Sequence, residues 1–399
     1  VIPLEEARAR VLAGCRRLRP VTLPVAEALG LVLDETIVAG EAIPPFPNTA
    51  MDGFAVRSAD TVDAPRRLDI VGTLAAGAAP DVEVGAGQAV RIMTGAPMPP
   101  GADAVIMVEL TRASDDGSTV EVQATVPAGN HVRAAGEDVS PGQLVFGAGI
   151  ELGPGHLGVL CSLGVTDVTV VPRPRVGVMS TGDELVEGAA RLQPGQIRDS
   201  NRRTLLSLVE RAGATPVDIG LIRDDEDAIR SAIDTAVETC DALITSGGVS
   251  MGDFDYVKKV LSATGDMAWM QVAIRPAKPL AFGLVADTPV FGLPGNPVSS
   301  MVSFELFARP GLRQMMGHAA VVRSPVVGIA DTDLLRRSDG KTHFARVVVT
   351  YHDGAFHFSS AGGQGSHQLF AMATADALAV LPDGDGVRAG EIAELVLVD

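Results

Sequence analysis

The 399-residue chain has little cysteine, a deficit of positive charge and no long apolar run, and each shortage closes off a class of function. Its three cysteines, Cys15, Cys161 and Cys240, stand too far apart for the paired spacing of a zinc site or a disulfide framework. A reduced, cytoplasmic setting is the expectation. Lys and Arg total 32 against 49 Asp and Glu, a formal net charge of -17, which argues against a mainly electrostatic grip on nucleic acid or anionic lipid. An anionic ligand is therefore expected to arrive with metal help. No apolar stretch is long enough to span a membrane, and the opening VIPLEEARARVL is acidic where a signal peptide is basic. A start at Val1 rather than Met leaves a removed leader open.

What is present is rhythm. The length predicts roughly two to four domains, and 44 glycines with 26 prolines predict many turns without a low-complexity tract. Leu4, Ala7, Val11 and Leu18 recur at helical spacing, followed by a short helix and an extended run in PVAEALGLVLDETIVA. Residues 41–130 change to short strands broken by Gly and Pro, the pattern of an inserted β-rich domain. Residues 1–40 and 131–172 are then expected to form one discontinuous domain around it. Residues 173–321 alternate apolar strands with amphipathic helices, which predicts a doubly wound parallel α/β/α domain. Its strands are expected at Val176–Met179, Val217–Leu221, Ala242–Thr245, Leu280–Leu284 and Val290–Leu293. Residues 322–399 return to strands and turns, with a hairpin at Asp353-Gly354, and read as an all-β, barrel-like domain.

In a doubly wound sheet, ligands sit beyond the carboxyl ends of the strands, and three of these strands run into unusual loops. In VMSTGDELV, Thr181, Gly182, Asp183 and Glu184 follow the strand, and adjacent carboxylates suit a hard cation such as Mg²⁺. The same residues also read as a helix cap with solvated charges. In LITSGGVSMGDFDY, Ser246 leads to Gly247 and Gly248, whose N–H groups can close on an oxyanion, with Ser250 and Asp253 able to cap the next helix. In FGLPGNPVSS, Pro294 and Gly295 end a strand, Asn296 is a good N-cap and Pro297 suits the first helical position. A helix is expected from there towards Met316, with Val298, Met301, Val302 and Glu305 on one face. Upstream, Arg275 and Lys278 add positive charge. Elsewhere Asp52 lies in a turn, Thr94 at a strand end, and Arg346 and Ser366 in the C-terminal strands, where an Arg fork and a hydroxyl suit a tetrahedral oxyanion. His367 beside Ser366 is no sign of a triad, because no nucleophile-elbow sequence accompanies it.

Taken in order, MDGFA, RIMTGAPMP, GEDV, STGDEL, GQIRDSN, SGGVSMGDFDY, KP, GLPGNPVSS and GSHQL span nearly the whole chain. By their order and spacing, the sequence resembles the molybdopterin molybdenumtransferase family, which includes the C-terminal enzyme domain of gephyrin. The resemblance implies an elongated homodimer of four-domain subunits that inserts molybdenum from molybdate into adenylylated molybdopterin, releases AMP and uses Mg²⁺. It implies that Asp52, Thr94, Glu184, Asp225 and Asp253 line the active site, Glu184 and Asp253 managing the metal. Gly247, Gly248 and Ser250 then resemble the phosphate-side loop, Lys278, Pro294, Pro297, Arg346 and Ser366 the molybdate side, and Thr181, Gly182, Asp183, Ser246, Gly295 and Asn296 are further implied cofactor-binding residues. It also implies that Asp52 completes a cleft built by the Glu184 loop of the other subunit. A molybdopterin adenylyltransferase and apo-molybdoenzymes are the implied partners. Gln271 and Arg275 stand where some relatives carry lysines, which redistributes charge near the molybdate. The segment 173–321 also resembles the adenylyltransferase of the preceding step, the alternative enzyme, and a non-catalytic scaffold is a third class.

Overall fold

The structure, a computed structural model of the chain, describes residues 1–247 and 256–398. It divides into two units, one of residues 23–29 and 35–168, the other of residues 1–22, 30–34 and 169–399.

The first of these units is built on a six-stranded sheet. Its strands are β1 (Gly53–Val56), β2 (Arg66–Leu74), β3 (Gln88–Ile92), β4 (Ala104–Met107), β5 (Thr111–Ala113) and β6 (Thr119–Val122), in the order β4-β1-β3-β2-β6-β5. Alternation buries both faces: Phe54 and Val56 join Leu68, Ile106 and Val120 on one side, while Ala55 joins Val90, Ile92 and Val105 on the other. At Gly53 an added Cβ would lie 2.0 Å from the Ile106 carbonyl oxygen, so only glycine lets β1 pair this closely directly after Asp52. Outside the sheet, Ile37–Val38 pairs with Leu144–Phe146, and a short helix spans Pro154–Ser162.

The larger unit opens with helix α1 (Leu4–Gly14), whose Ala7 and Val11 are fully buried in the core of the α/β region. The helical spacing up to Leu18 overran: α1 ends at Gly14, and Leu18 instead donates its N–H to the Met315 carbonyl at 2.9 Å. The sheet comprises β7 (Arg175–Thr181), β8 (Thr215–Ile222), β9 (Ala242–Ser246), β10 (Asp266–Gln271), β11 (Pro279–Val285) and β12 (Thr288–Leu293), ordered β8-β7-β9-β12-β11-β10. Helices α2 (Asn201–Arg211), α3 (Glu226–Thr239) and α4 (Tyr256–Thr264) cover it. Val176 and Val178 of β7 face a core shared with Leu205 and Val209, whereas Met179 faces Ile229, Ile233 and Val260. Both faces are thus covered, as expected of a doubly wound sheet.

Two features depart from the sequence reading. The sheet is mixed, because β11 runs antiparallel to β12, to which it is joined by the two-residue turn Ala286-Asp287 with both φ angles positive. β10, which the sequence reading missed, pairs antiparallel with β11 at the edge. The expected one-faced helix after Pro297 is instead buried nearly all round: α5 (Pro297–Ser303) passes through a π-helical turn, Phe304–Ala308, into α6 (Arg309–Met315). That explains its content, since Phe304, Phe307, Leu312 and Ser303 leave no side for solvent.

The C-terminal strands β13 (Val326–Ala330), β14 (Thr342–His352), β15 (Ala355–Ser360), β16 (Ala377–Leu381) and β17 (Ile392–Leu397) run β14-β15-β13-β17-β16, and β16 pairs back onto β14 to close a five-stranded barrel. The Asp353-Gly354 turn, with both φ positive, joins β14 to β15. Ile274–Arg275 adds in parallel to Thr342–His343 of β14. Among the described residues, no helix is long and apolar enough to cross a membrane.

Candidate functional site

The carboxyl ends of β7, β8, β9 and β12 bring together the loops that the sequence singled out. Gly182 has φ +147°, and a Cβ there would lie 2.6 Å from a Glu184 carboxylate oxygen, so glycine at 182 lets Glu184 fold back over the turn. Glu184 is exposed and its carboxylate has no hydrogen-bond or ionic partner among the described residues. Asp183 and Asp224 exchange long backbone-to-carboxylate hydrogen bonds of 3.4 and 3.3 Å, which join the β7 and β8 loops. Gly247, at φ +93°, donates its N–H to the Leu293 carbonyl at 3.0 Å, and a Cβ on it would lie 3.4 Å from the Thr181 carbonyl oxygen. Gly248, Ser250 and Asp253 lie outside the described residues.

Asn201, at the start of α2, bridges these loops: its amide Nδ2 donates to Ser246 Oγ at 2.8 Å and to the Gly295 carbonyl at 2.7 Å. The sequence reading quoted GQIRDSN without assigning a role to Asn201, because both bonds are to residues far along the chain. Its neighbour Arg202 is buried and pairs with Asp199 at 3.1 Å and also with Asp218 and Glu187. Asp199 in turn accepts from the Arg202 N–H at 3.2 Å and from Ser180 Oγ at 3.1 Å. This network fixes the start of α2 against β7 and β8.

Asn296 occupies the N-cap position before Pro297, but its side chain makes no capping bond, so the expected Asn cap is absent and Pro297 starts the helix. The Val298 N–H donates to the Ser366 carbonyl at 3.1 Å, which holds the GGQGSH segment against the start of α5. Arg346 lies beneath that segment, 1 % exposed; its Nη2 donates to the Gly363 and Gly365 carbonyls at 2.7 and 3.2 Å. Its Nε has no hydrogen-bond partner and no described carboxylate pairs with it; burial alone holds its pKa below the usual guanidinium range. Arg346, Gln364, His343 and Arg275 line a cavity of about 360 Å³ that also meets Arg336 and Arg337. Burial likewise pushes the His343 imidazole below its ordinary range, against the pull of Asp339. Arg275 thus lines one cavity with Arg346. Lys278 is exposed, and Pro294 is buried at the end of β12.

Three expected residues are engaged in local hydrogen bonds. Asp225 caps α3, accepting from the Ala228 N–H at 2.8 Å. Asp52 and Thr94 belong to the other unit and form a pair there: Asp52 Oδ1 accepts from the Thr94 N–H at 2.7 Å and from the Thr94 hydroxyl at 2.8 Å. The backbone bond first, then the hydroxyl bond, holds the Asp52 carboxyl below its ordinary pKa of 3.8.

Family models match the chain in three consecutive stretches: "MoeA N-terminal region (domain I and II)" over residues 2–164, "Probable molybdopterin binding domain" over 177–314 and "MoeA C-terminal region (domain IV)" over 332–398. The chain is 39% identical over 390 residues to molybdopterin molybdenumtransferase 2 of Mycobacterium tuberculosis, covering 95% of each. It is 37% identical to the Haemophilus influenzae molybdopterin molybdenumtransferase, covering 98% of this chain and 97% of that one. Among solved structures, the molybdopterin biosynthesis moeA protein of Pyrococcus horikoshii OT3 aligns over 100% of both chains with a TM-score of 0.83 at 29% identity.

Removing the Thr94 hydroxyl while keeping its N–H separates the two supports of Asp52. Carboxyl carbon NMR should find the Asp52 midpoint below 3.8 in the native chain. Thr94→Val should raise that midpoint, so that Asp52 protonates earlier as the pH falls; an unchanged midpoint rules the hydroxyl out as a support. Asn201→Ala removes both loop bonds, each worth about 0.5–1.5 kcal/mol. Hydrogen exchange should then speed up at Gly247 and at Val298, with little change in β14; equal protection in the variant would deny the bridge its role.

Proposed function

Because the chain belongs to the molybdopterin molybdenumtransferase family, transferases of molybdenum cofactor biosynthesis, we propose that it takes adenylylated molybdopterin on its loop-lined sheet edge, accepts molybdate from the Arg346 side and releases AMP. Inserting molybdenum into molybdopterin is its reaction. The observation that carries the finer reading is the buried, unpaired Nε of Arg346 beside a cavity that Arg275 also lines. A desolvated guanidinium without a carboxylate is costly, and a tetrahedral dianion supplies the missing acceptor and countercharge. Lys278 and Ser366 are assigned to the same side by the motifs KP and GSHQL.

At the sheet edge, Asn201 holds the Ser246 hydroxyl and the Gly295 carbonyl so that the loops meet the substrate already in place. Glu184 offers unpaired carboxylate oxygens, the donor type that Mg²⁺ prefers, and Asp253 is the second proposed ligand. When bound, Mg²⁺ supplies charge neutralisation for the pyrophosphate. Asp52, kept ionised by Thr94, is available as an acceptor at neutral pH. The cysteine usage supports a cytoplasmic setting, where a molybdopterin adenylyltransferase would supply the substrate and apo-molybdoenzymes take the product.

Supplied with adenylylated molybdopterin and molybdate, the protein should insert molybdenum and release AMP, and chelation should stop turnover. Supplied with ATP and molybdopterin, it should make no adenylylated product; the opposite pattern would identify the enzyme of the preceding step. Full insertion in verified divalent-free buffer would exclude the metal. In the same assay Arg346→Ala should lose about 1.5–3 kcal/mol of molybdate binding, roughly ten- to hundredfold more molybdate for equal rate. An unchanged molybdate dependence, in a variant that still binds the pterin, removes Arg346 from the site.

We further propose a homodimer in which Asp52 of one subunit serves the Glu184 loop of the other. Asp52→Ala and Glu184→Ala proteins should each be nearly inactive, yet co-refolding equal amounts should restore about a quarter of the sites, since half the dimers are mixed and each keeps one intact cleft. Activity that stays at the level of the separate variants, with subunit exchange confirmed by mass tagging, would place both residues in one chain's cleft.

A further inference from the structure

The barrel carries a second cluster of ligating groups, unused by the chemistry above. In the β14–β15 hairpin His352 lies opposite Ala355 and His357 opposite Thr350. The two histidines therefore leave the same face of the hairpin as a diagonal pair, and their rings stack with centroids 3.7 Å apart and planes inclined by 22°. β13 runs parallel to β15, with Ile329 opposite His357. Just past the end of β13, the Asp331 N–H donates to the Phe358 carbonyl at 2.9 Å, which sets the Asp331 side chain beside His357. There Asp331 Oδ1 lies 2.9 Å from His357 Nδ1. One nitrogen from each ring and one Asp331 oxygen all fall within 4.8 Å of one another.

We propose that Asp331, His352 and His357 form a binding site for a divalent transition metal, with Zn²⁺ as the fitting ion. Two imidazoles with one carboxylate make a mixed nitrogen and oxygen donor set that suits Zn²⁺, whereas Mg²⁺ and Ca²⁺ prefer oxygen alone. Bonds of about 2.0–2.2 Å to a tetrahedral ion put ligand atoms roughly 3.3 Å apart. The Asp331–His357 pair, at 2.9 Å, is close to that spacing and opens slightly as the ion takes the place of the proton they share. His352 reaches the ion by side-chain rotation: it is 49% exposed, stacked on His357 and paired with Asp353 at 3.3 Å. That second carboxylate can orient the ring in the bound state. The remaining coordination falls to water, because Asp331 and His352 face solvent. Bound metal would tie the tip of the β14–β15 hairpin to the residues after β13, adding to the strand pairing, the His352–His357 stack and the Asp331–His357 contact.

The test is calorimetric titration of the full chain with ZnCl₂ at neutral pH, after chelator treatment and its removal. The expected result is one saturable site of micromolar affinity, not displaced by excess Mg²⁺. His352→Ala/His357→Ala should weaken it by about tenfold or more, and Asp331→Asn should weaken it to a smaller degree. Zn²⁺ should raise the unfolding temperature of the native chain and leave that of the double variant unmoved. Absence of saturable binding, or equal affinity in the double variant, overturns the proposal. Should the double variant fold poorly by circular dichroism, Asp331→Asn alone decides, since it is isosteric and lies at the surface: undiminished Zn²⁺ affinity in that variant also overturns it.

Discussion

The site depends on a buried cation, Arg202, set among carboxylates beside the loops. Arg202 stands in the first turn of α2 with Asp199, Asp218 and Glu187 around it. Burial works against its charge, but the three carboxylates more than offset this and drive its pKa above the ordinary guanidinium range. A guanidinium forks in a plane, so partners on several sides fix its position and its orientation. Asp218 lies on β8, Asp199 precedes α2, and Ser180 of β7 donates to that same Asp199. Asn201 is therefore held at a set height above the sheet, within reach of Ser246 and Gly295 at once. Removing Arg202 itself would leave the buried Asp199 carboxylate without its countercharge, a loss that typically costs about 3–5 kcal/mol.

The parts of the fold legible in the sequence were those governed by local pattern. The core strands from Val176, Val217, Ala242, Leu280 and Val290 were found because each is a short apolar run between breakers, and the true strands extend them by one or two residues. Strand direction was not legible for β11, because Ala286-Asp287 lacks the glycine that marks a tight hairpin, and a two-residue connection cannot hold a crossover helix. β10 was missed although Gly265 marks the break after α4, because Asp266–Gln271 carries Met, Ala and Trp rather than branched residues.

For the site, glycines spoke clearly and polar residues did not. Gly182 and Gly247 are required by positive φ and by close neighbours, a demand that local sequence carries. Asn201 acts through hydrogen bonds spanning 45 and 94 residues, and no periodicity encodes those. Asp225 looked like a site acid, and its carboxylate accepts the helix bond that its position before Glu226 would predict. Arg275 was legible as positive charge upstream of the Pro294 loop and as a departure from relatives, but not as lining one cavity with Arg346. In a chain of net charge -17, that cavity is a local reversal of sign, and it illustrates why a global charge balance says little about one pocket.

The parallel pairing of Ile274–Arg275 with β14 has a bearing on how the polypeptide matures. The chain leaves the α/β sheet after β10, lends two residues to the barrel and returns at once to β11. The strand that receives those two residues begins at Thr342, and the barrel closes only through β16 and β17, ending at Leu397. On the ribosome, then, the α/β sheet can form with its Arg275 turn still lacking a seat. The cavity that Arg275 shares with Arg346 is lined as far along the chain as Leu381, so it is completed only after synthesis has passed β16.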